Sequence, residues 1–193
     1  MAILERNEYV KYRYKDYMNW SEAERWEIID GVPYSMSPAP SRKHQKISGE
    51  LFASMHNYLR GKSCEVYSAP FDVRLNINDE EDEDITNVVQ PDISVICDSM
   101  KLDDKGCKGS PDLIMEIVSP STLKRDLKEK FYLYERAGVR EYWIVYPEEK
   151  TIVLYRLNES LKYGRPEVYS EEDKIKVGIF ESLEINLNEI FAD

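Results

Sequence analysis

The sequence is poor in the residues that build several common sites. It has two histidines, His44 and His56, which argues against a zinc centre of the His or Cys type. Its three cysteines, Cys64, Cys97 and Cys107, are odd in number and lack CxxC spacing. They are read as free thiols in a reducing cytoplasm. No apolar run approaches the roughly 20 residues that cross a bilayer, so no membrane span is expected. The N-terminal stretch has no apolar core and no cleavage site of the signal-peptide kind. No internal repeat is evident, nor a linker rich in Gly, Ser or Pro. Positive charge is also short: the formal net charge is −11, which argues against tight nucleic-acid binding. Part of the acidity sits in "NDEEDED", Asn78 to Asp84, which lacks the glycine and spaced ligands of an EF-hand loop and reads as a solvated loop.

What is present suits one domain. The chain has 193 residues, 42% of them hydrophobic, enough for a substantial core. "YMNWSEAERW" reads as a short helix, and "WEIIDGVPYSMS" as two strands about Gly31. "SRKHQKISGELFASMHNYLR" places His44, Ile47, Leu51, Met55 and Tyr58 on one helical face. The stretches "CEVYSA", "FDVRLNI" and "NVVQPDISVIC" read as strands, and "DSMKLDDKGCKGSP" as a polar loop. The strand "DLIMEIV" is followed by the helix "STLKRDLKEKFYLYERAG", closed by Gly138. "REYWIVY" and "TIVLYRL" are further strands, and the tail holds one or two strands and a helical turn. The expected fold is α+β (mixed α/β): a central mixed sheet flanked by helices, with one right-handed crossover between Asp112 and Tyr146.

Three polar residues break their local patterns. Asp92 follows Pro91, which lacks an N–H and belongs at a bend or strand edge. Glu116 interrupts an apolar strand, sharing a face with Ile114 and Val118; a buried carboxylate there requires a cation, a strong donor or a wet cleft. Lys130 falls within roughly 40° of the centre of an apolar stripe through Leu123, Leu127, Phe131 and Tyr134, whereas Lys128 points away. Two carboxylates on neighbouring strands suit a hard divalent cation such as Mg²⁺, and an inward amine beside them suits phosphoryl chemistry. The plainer readings are an aspartate capping a bend and a structural Glu116–Lys130 ion pair, with Asp126 as an i, i+4 partner of Lys130. A glycosidase pair is a further, weakly supported option.

"QPDISV" and "PDLIMEIVSPSTLKRDLKEKFYLYERAGVREYWIVYP", with "WEIIDGVPYSMSPAPSRKHQKI" upstream, resemble the Uma-two family, within the restriction-endonuclease-like, PD-(D/E)XK superfamily. The likeness covers most of residues 20–157 and implies one such domain over 1–193. It implies a Mg²⁺- or Mn²⁺-dependent endonuclease acting on DNA, cytoplasmic and homodimeric. Asp92, Glu116 and the Ile117 carbonyl would be metal ligands, Lys130 the catalytic lysine, and Glu27 and His44 accessory residues. Two departures stand out. Val118 occupies the usual lysine position, so the resemblance moves the amine to Lys130, and Tyr146 replaces an expected aspartate. The competing expectation is a nuclease-fold module without catalysis, binding nucleic acid or a protein. Arg42, Lys43, Lys46, Lys124 and Arg125 are the basic residues nearest the expected site.

Overall fold

The computed structural model describes residues 10–21, 24–36 and 40–192. The chain opens with α1 (Tyr14–Tyr17), the hairpin β1 (Trp26–Ile29) and β2 (Val32–Ser35), and α2 (Arg42–Leu59). Next come β3 (Glu65–Ser68), β4 (Val73–Arg74), β5 (Val88–Val89), β6 (Ile93–Ile96), β7 (Leu102–Asp103), β8 (Gly106–Lys108) and β9 (Leu113–Ile117). A helix then runs through a π-helical segment (Arg125–Lys130) into α3 (Phe131–Ala137). The chain closes with β10 (Glu141–Tyr146), β11 (Thr151–Arg156), β12 (Glu167–Ser170), β13 (Lys174–Lys176), β14 (Glu184–Asn186) and α4 (Leu187–Ile190).

The fold is α+β, but its strands divide between two six-stranded sheets, ordered β2-β1-β5-β4-β8-β7 and β12-β11-β10-β9-β6-β3, beside the small pair β13-β14. Strands β9 and β10 are parallel and joined through the helix, as the crossover pattern predicts. Several expectations are corrected. "NVVQPDISVIC" is not one strand: β5 belongs to the first sheet and β6 to the second, and Gln90, Pro91 and Asp92 carry the chain between them. Pro91 cannot donate to a ladder, so the pairing is interrupted where sequence periodicity suggested continuity. The polar loop after β6 contains the β7–β8 pair, the tail holds three strands rather than one or two, and the first helix lies at Tyr14–Tyr17. Of the stretch assigned to that helix, residues 22–23 lie outside the described residues, and Trp26 already opens β1.

Alternation along β9 and β10 builds two apolar layers. Leu113, Met115, Ile117, Trp143 and Val145 pack with Ile47, Leu51, Met55 and Leu59 of α2 and with the C-terminal segment. Each such side chain, fully buried, contributes about 1.5–3 kcal/mol. Ile114, Val118, Tyr142 and Ile144 face the other way, onto Leu133 and Tyr134 of α3 and residues of the first sheet. Ser41 caps α2 by accepting the His44 N–H at 3.2 Å, and Gly138 ends α3 in the left-handed region at φ 84°.

Two further expectations change. The acidic segment is not merely solvated: Asp82 takes two bonds of 2.7 Å from the fully buried Arg74, whose other terminal nitrogen reaches Asp103 at 2.6 Å. Cys64 and Cys97 are disulfide-bonded, which corrects the free-thiol reading for both; Cys107 is free and buried. The cause lies in strand register. Glu65 pairs with Ile96, so the next residues outward, Cys64 and Cys97, face each other across β3 and β6. Among the described residues, no helix is long and apolar enough to cross a membrane.

Candidate active site

The site lies where the chain passes between the sheets. Ile93 pairs with Met115, so the antiparallel register continued by one residue sets Asp92 opposite Glu116. Residues opposed in this way project to the same side of a sheet. Asp92 Oδ2 accepts the Ile117 N–H at 2.7 Å, which fixes its carboxylate against the end of β9. This is the backbone-capping role that local chemistry suggested for Asp92, made across strands. Pro91 and the sheet change provide the bend that allows it.

Glu116 is buried, and its Oε1 accepts from Lys130 Nζ at 2.8 Å and from the Tyr134 hydroxyl at 2.6 Å. Lys130 Nζ also lies 2.7 Å from Glu27 Oε1 and 3.8 Å from Asp126 Oδ1. Thus one ammonium, 3% exposed as a residue, is surrounded by three buried carboxylates. Glu27 comes from β1 and also accepts the Gln90 N–H at 3.1 Å, tying the first strand to the crossing segment. Val118 packs in the apolar layer.

Lys130 points inward and Lys128 is exposed, as the spacing indicates, but the stripe through Leu127 is corrected. Leu127 is 42% exposed, and Asp126 takes the inward place. The cause is the π-helical segment: its wider turn breaks the 100° step on which the stripe was drawn. Asp126 and Tyr134 are the residues whose polar roles at this cluster the sequence did not assign. By spacing alone Tyr134 falls on the apolar stripe and Asp126 is an i, i+4 partner of Lys130 on the helix.

The charges respond to burial and to one another. Burial pushes Glu116 well above the usual carboxylate range; Lys130 opposes this, while Asp126, Asp92 and Glu27 reinforce it. Asp126 is likewise pushed up by burial, to about 6, against the pull of Lys130 and a Thr122 hydrogen bond. Burial alone would lower Lys130, but Glu116, Glu27 and Asp126 outweigh it and hold the ammonium above the ordinary lysine value. Lys130 is therefore charged at neutral pH and is a donor, not a base.

His44, from the first turn of α2, places Nε2 3.3 Å from Asp92 Oδ2. Burial pulls its pKa down, yet the Asp92 hydrogen bond and charge and the Ile117 backbone leave it raised overall. Its Nδ1 is buried without a hydrogen-bond partner among the described residues. A cavity of about 190 Å³ adjoins the pair, with Arg25, Pro40, His44, Gln45, Ser48 and Asp92 among its lining. Of the basic residues expected nearby, Lys43 is engaged with Glu148 at 2.8 Å and Lys46 with the Ala192 carbonyl at 2.7 Å. Arg125 lies on the cluster itself, 3.3 Å from Glu27 Oε2 and over the Tyr34 ring.

Among the described residues, no three His, Cys, Asp or Glu side chains are grouped as a metal cage. A magnesium-type ion does not require one: it is held by one or two carboxylates and keeps several waters. Asp92 Oδ1 and Glu116 Oε2 accept no hydrogen bond among the described residues, so each opposed acid retains an oxygen for a hard cation. The donor set fits such an ion.

The sequence matches the Uma2 family, described as "Putative restriction endonuclease", over residues 14–188. It is 31% identical over 148 residues to "Uncharacterized protein slr1290" of Synechocystis sp. (strain ATCC 27184 / PCC 6803 / Kazusa), covering 75% of this chain and 74% of that protein. The fold is similar to the crystal structure of "a putative nuclease belonging to DUF820" from Anabaena variabilis ATCC 29413, with a TM-score of 0.73 and 19% identity. That likeness spans 93% of this chain and 97% of the other, and at 19% identity it speaks to the fold alone.

Proposed function

The chain belongs to the Uma2 family of restriction-endonuclease-like proteins, and from that premise we propose that it is a metal-dependent endonuclease hydrolysing DNA phosphodiester bonds. Asp92, Glu116 and the Ile117 carbonyl would hold Mg²⁺ or Mn²⁺. The observation that carries this reading is the placement of Asp92 opposite Glu116, with Lys130 Nζ 2.8 Å from Glu116 Oε1. When bound, such an ion supplies charge stabilisation at phosphoryl oxygens and a more acidic water.

The protein's own groups have distinct tasks. Lys130 neutralises part of the carboxylate charge and, with Tyr134, anchors Glu116 by one oxygen while the other stays open. Asp92 is held rigid by the Ile117 N–H, and His44 borders it on the cavity side. Glu27, 2.7 Å from Lys130 Nζ, helps to hold the ammonium, an accessory role. A homodimer would present two such sites to the two strands of a duplex.

One observation favours a second reading, a nuclease-fold module that binds nucleic acid or a protein without cutting. Lys130 Nζ is already engaged by Glu27 at 2.7 Å and Glu116 at 2.8 Å, so its charge is matched by the protein's own carboxylates. A cleavage assay on plasmid DNA separates the two. The nuclease reading expects nicking with Mg²⁺ or Mn²⁺ that chelation stops and that Lys130→Ala removes. Absence of metal-dependent cleavage by the wild-type protein supports the module, and equal cleavage by Lys130→Ala removes the lysine from the reaction.

A further inference from the structure

Arg25 was not singled out by sequence pattern, yet its setting is unusual. Its Nε and one terminal nitrogen both donate to the Gln90 side-chain oxygen, at 3.0 and 2.7 Å. Gln90 is buried and cannot turn freely: its backbone N–H donates to Glu27, and its side-chain nitrogen donates to Asp72 at 2.8 Å and to the Tyr17 hydroxyl at 3.0 Å. The guanidinium is thereby held in a set orientation by a neutral group. Among the described residues no carboxylate pairs with it, in contrast to Arg74, Arg125, Arg136, Arg140 and Arg156.

An oriented, uncompensated guanidinium is suited to an oxyanion, because its planar fork matches phosphate geometry and its charge is not already cancelled. The cavity beside it is the one bordered by His44 and Asp92. The amino end of α2, an 18-residue helix with no acidic residue in its first turn, opens on the same cavity through Pro40 and His44. Its partial positive charge adds to that of Arg25. Gln90 is separated from Asp92 only by Pro91, so the tether of Arg25 and the candidate metal ligand share one short, fixed segment.

We propose that Arg25, oriented by Gln90, grips the non-bridging oxygens of a nucleic-acid phosphodiester in the cavity bordered by His44 and Asp92. The proposal rests on the nuclease reading for its ligand class, but it concerns binding and is read separately from cleavage.

The test is fluorescence anisotropy on a labelled DNA duplex over a series of salt concentrations, with calcium replacing magnesium so that turnover does not intervene. Wild type is compared with Arg25→Ala, Arg25→Lys and, as a remote control, Arg60→Ala. Thermal melts establish that each variant is folded. Arg25→Ala is expected to weaken binding by about tenfold or more and to lower the slope of log affinity against log salt by about one phosphate contact. Arg25→Lys should restore the slope but only part of the affinity, since an ammonium cannot reproduce the fork held by Gln90. Arg60→Ala should change neither. Unchanged affinity and slope in Arg25→Ala overturn the proposal, as does a wild-type protein that does not bind DNA. If wild type binds and loses the contact in Arg25→Ala but never cleaves, the phosphate site stands and the nuclease reading falls. If it cleaves while Arg25→Ala binds as wild type, the reverse holds.

Discussion

Replacing Lys130 by methionine isolates the charge at the centre of the cluster. Methionine keeps much of the length and packing of the lysine stem, so the loss is chiefly electrostatic. In the native protein the ammonium lies 2.7 Å from Glu27, 2.8 Å from Glu116 and 3.8 Å from Asp126, all nearly excluded from water. Removing one partner of a buried ion cluster costs about 3–5 kcal/mol, because the remaining charges stay buried and unpaired. A domain has only about 5–15 kcal/mol in total. At about 2–4 °C per kcal/mol for a chain of this size, the melting temperature should fall by about 6–20 °C. The loss should depend on pH. Without Lys130 the acids relieve their burial by binding protons, and a carboxylate with a raised folded-state pKa makes stability fall as pH rises towards that pKa. The deficit should therefore be largest near about pH 8 and smaller near about pH 5. Urea denaturation of metal-free protein at both values gives the numbers, provided the dependence on urea is alike in both proteins. Lys130→Met as stable as wild type near pH 8 would refute the argument that this ammonium holds the cluster together.

Asp126→Asn should act in the opposite direction. Asp126 is pushed from 3.8 up to about 6, so between those values the native state holds a proton that the unfolded chain has released, and stability falls as pH rises. At about 1.4 kcal/mol per pH unit the cost is bounded at about 3 kcal/mol, so Asp126→Asn should gain about 1–2 kcal/mol near pH 8 and little near pH 4; a loss near pH 8 would contradict this. Tyr134→Phe removes a 2.6 Å bond to a buried carboxylate and should cost about 1.5–3 kcal/mol in denaturant titrations. An unchanged midpoint would show that Glu116 does not depend on that hydroxyl.

The parts of the site legible in the sequence were those governed by local pattern. Glu116 stood out because it broke an apolar strand, and Lys130 because it lay on the buried side of its helix. The strand–helix–strand unit from Leu113 to Tyr146 followed from periodicity and Gly138. Other parts depended on pairing between distant segments. The opposition of Asp92 and Glu116 follows from a register that neither strand specifies alone. The same holds for Cys64 and Cys97. The exchange of Leu127 for Asp126 came from a π-helical turn, where a fixed angular step no longer applies. Arg25 was hidden because its significance depends on Gln90, 65 residues away along the chain.

The central claim is that Asp92 and Glu116 together hold a divalent cation. Isothermal titration of Mg²⁺ or Mn²⁺ into wild type and into the Asp92→Ala, Glu116→Ala double variant tests it most directly, with a thermal melt showing that the variant is folded. The wild-type protein should show a cation site that the double substitution abolishes. A folded double variant with wild-type metal affinity would contradict it.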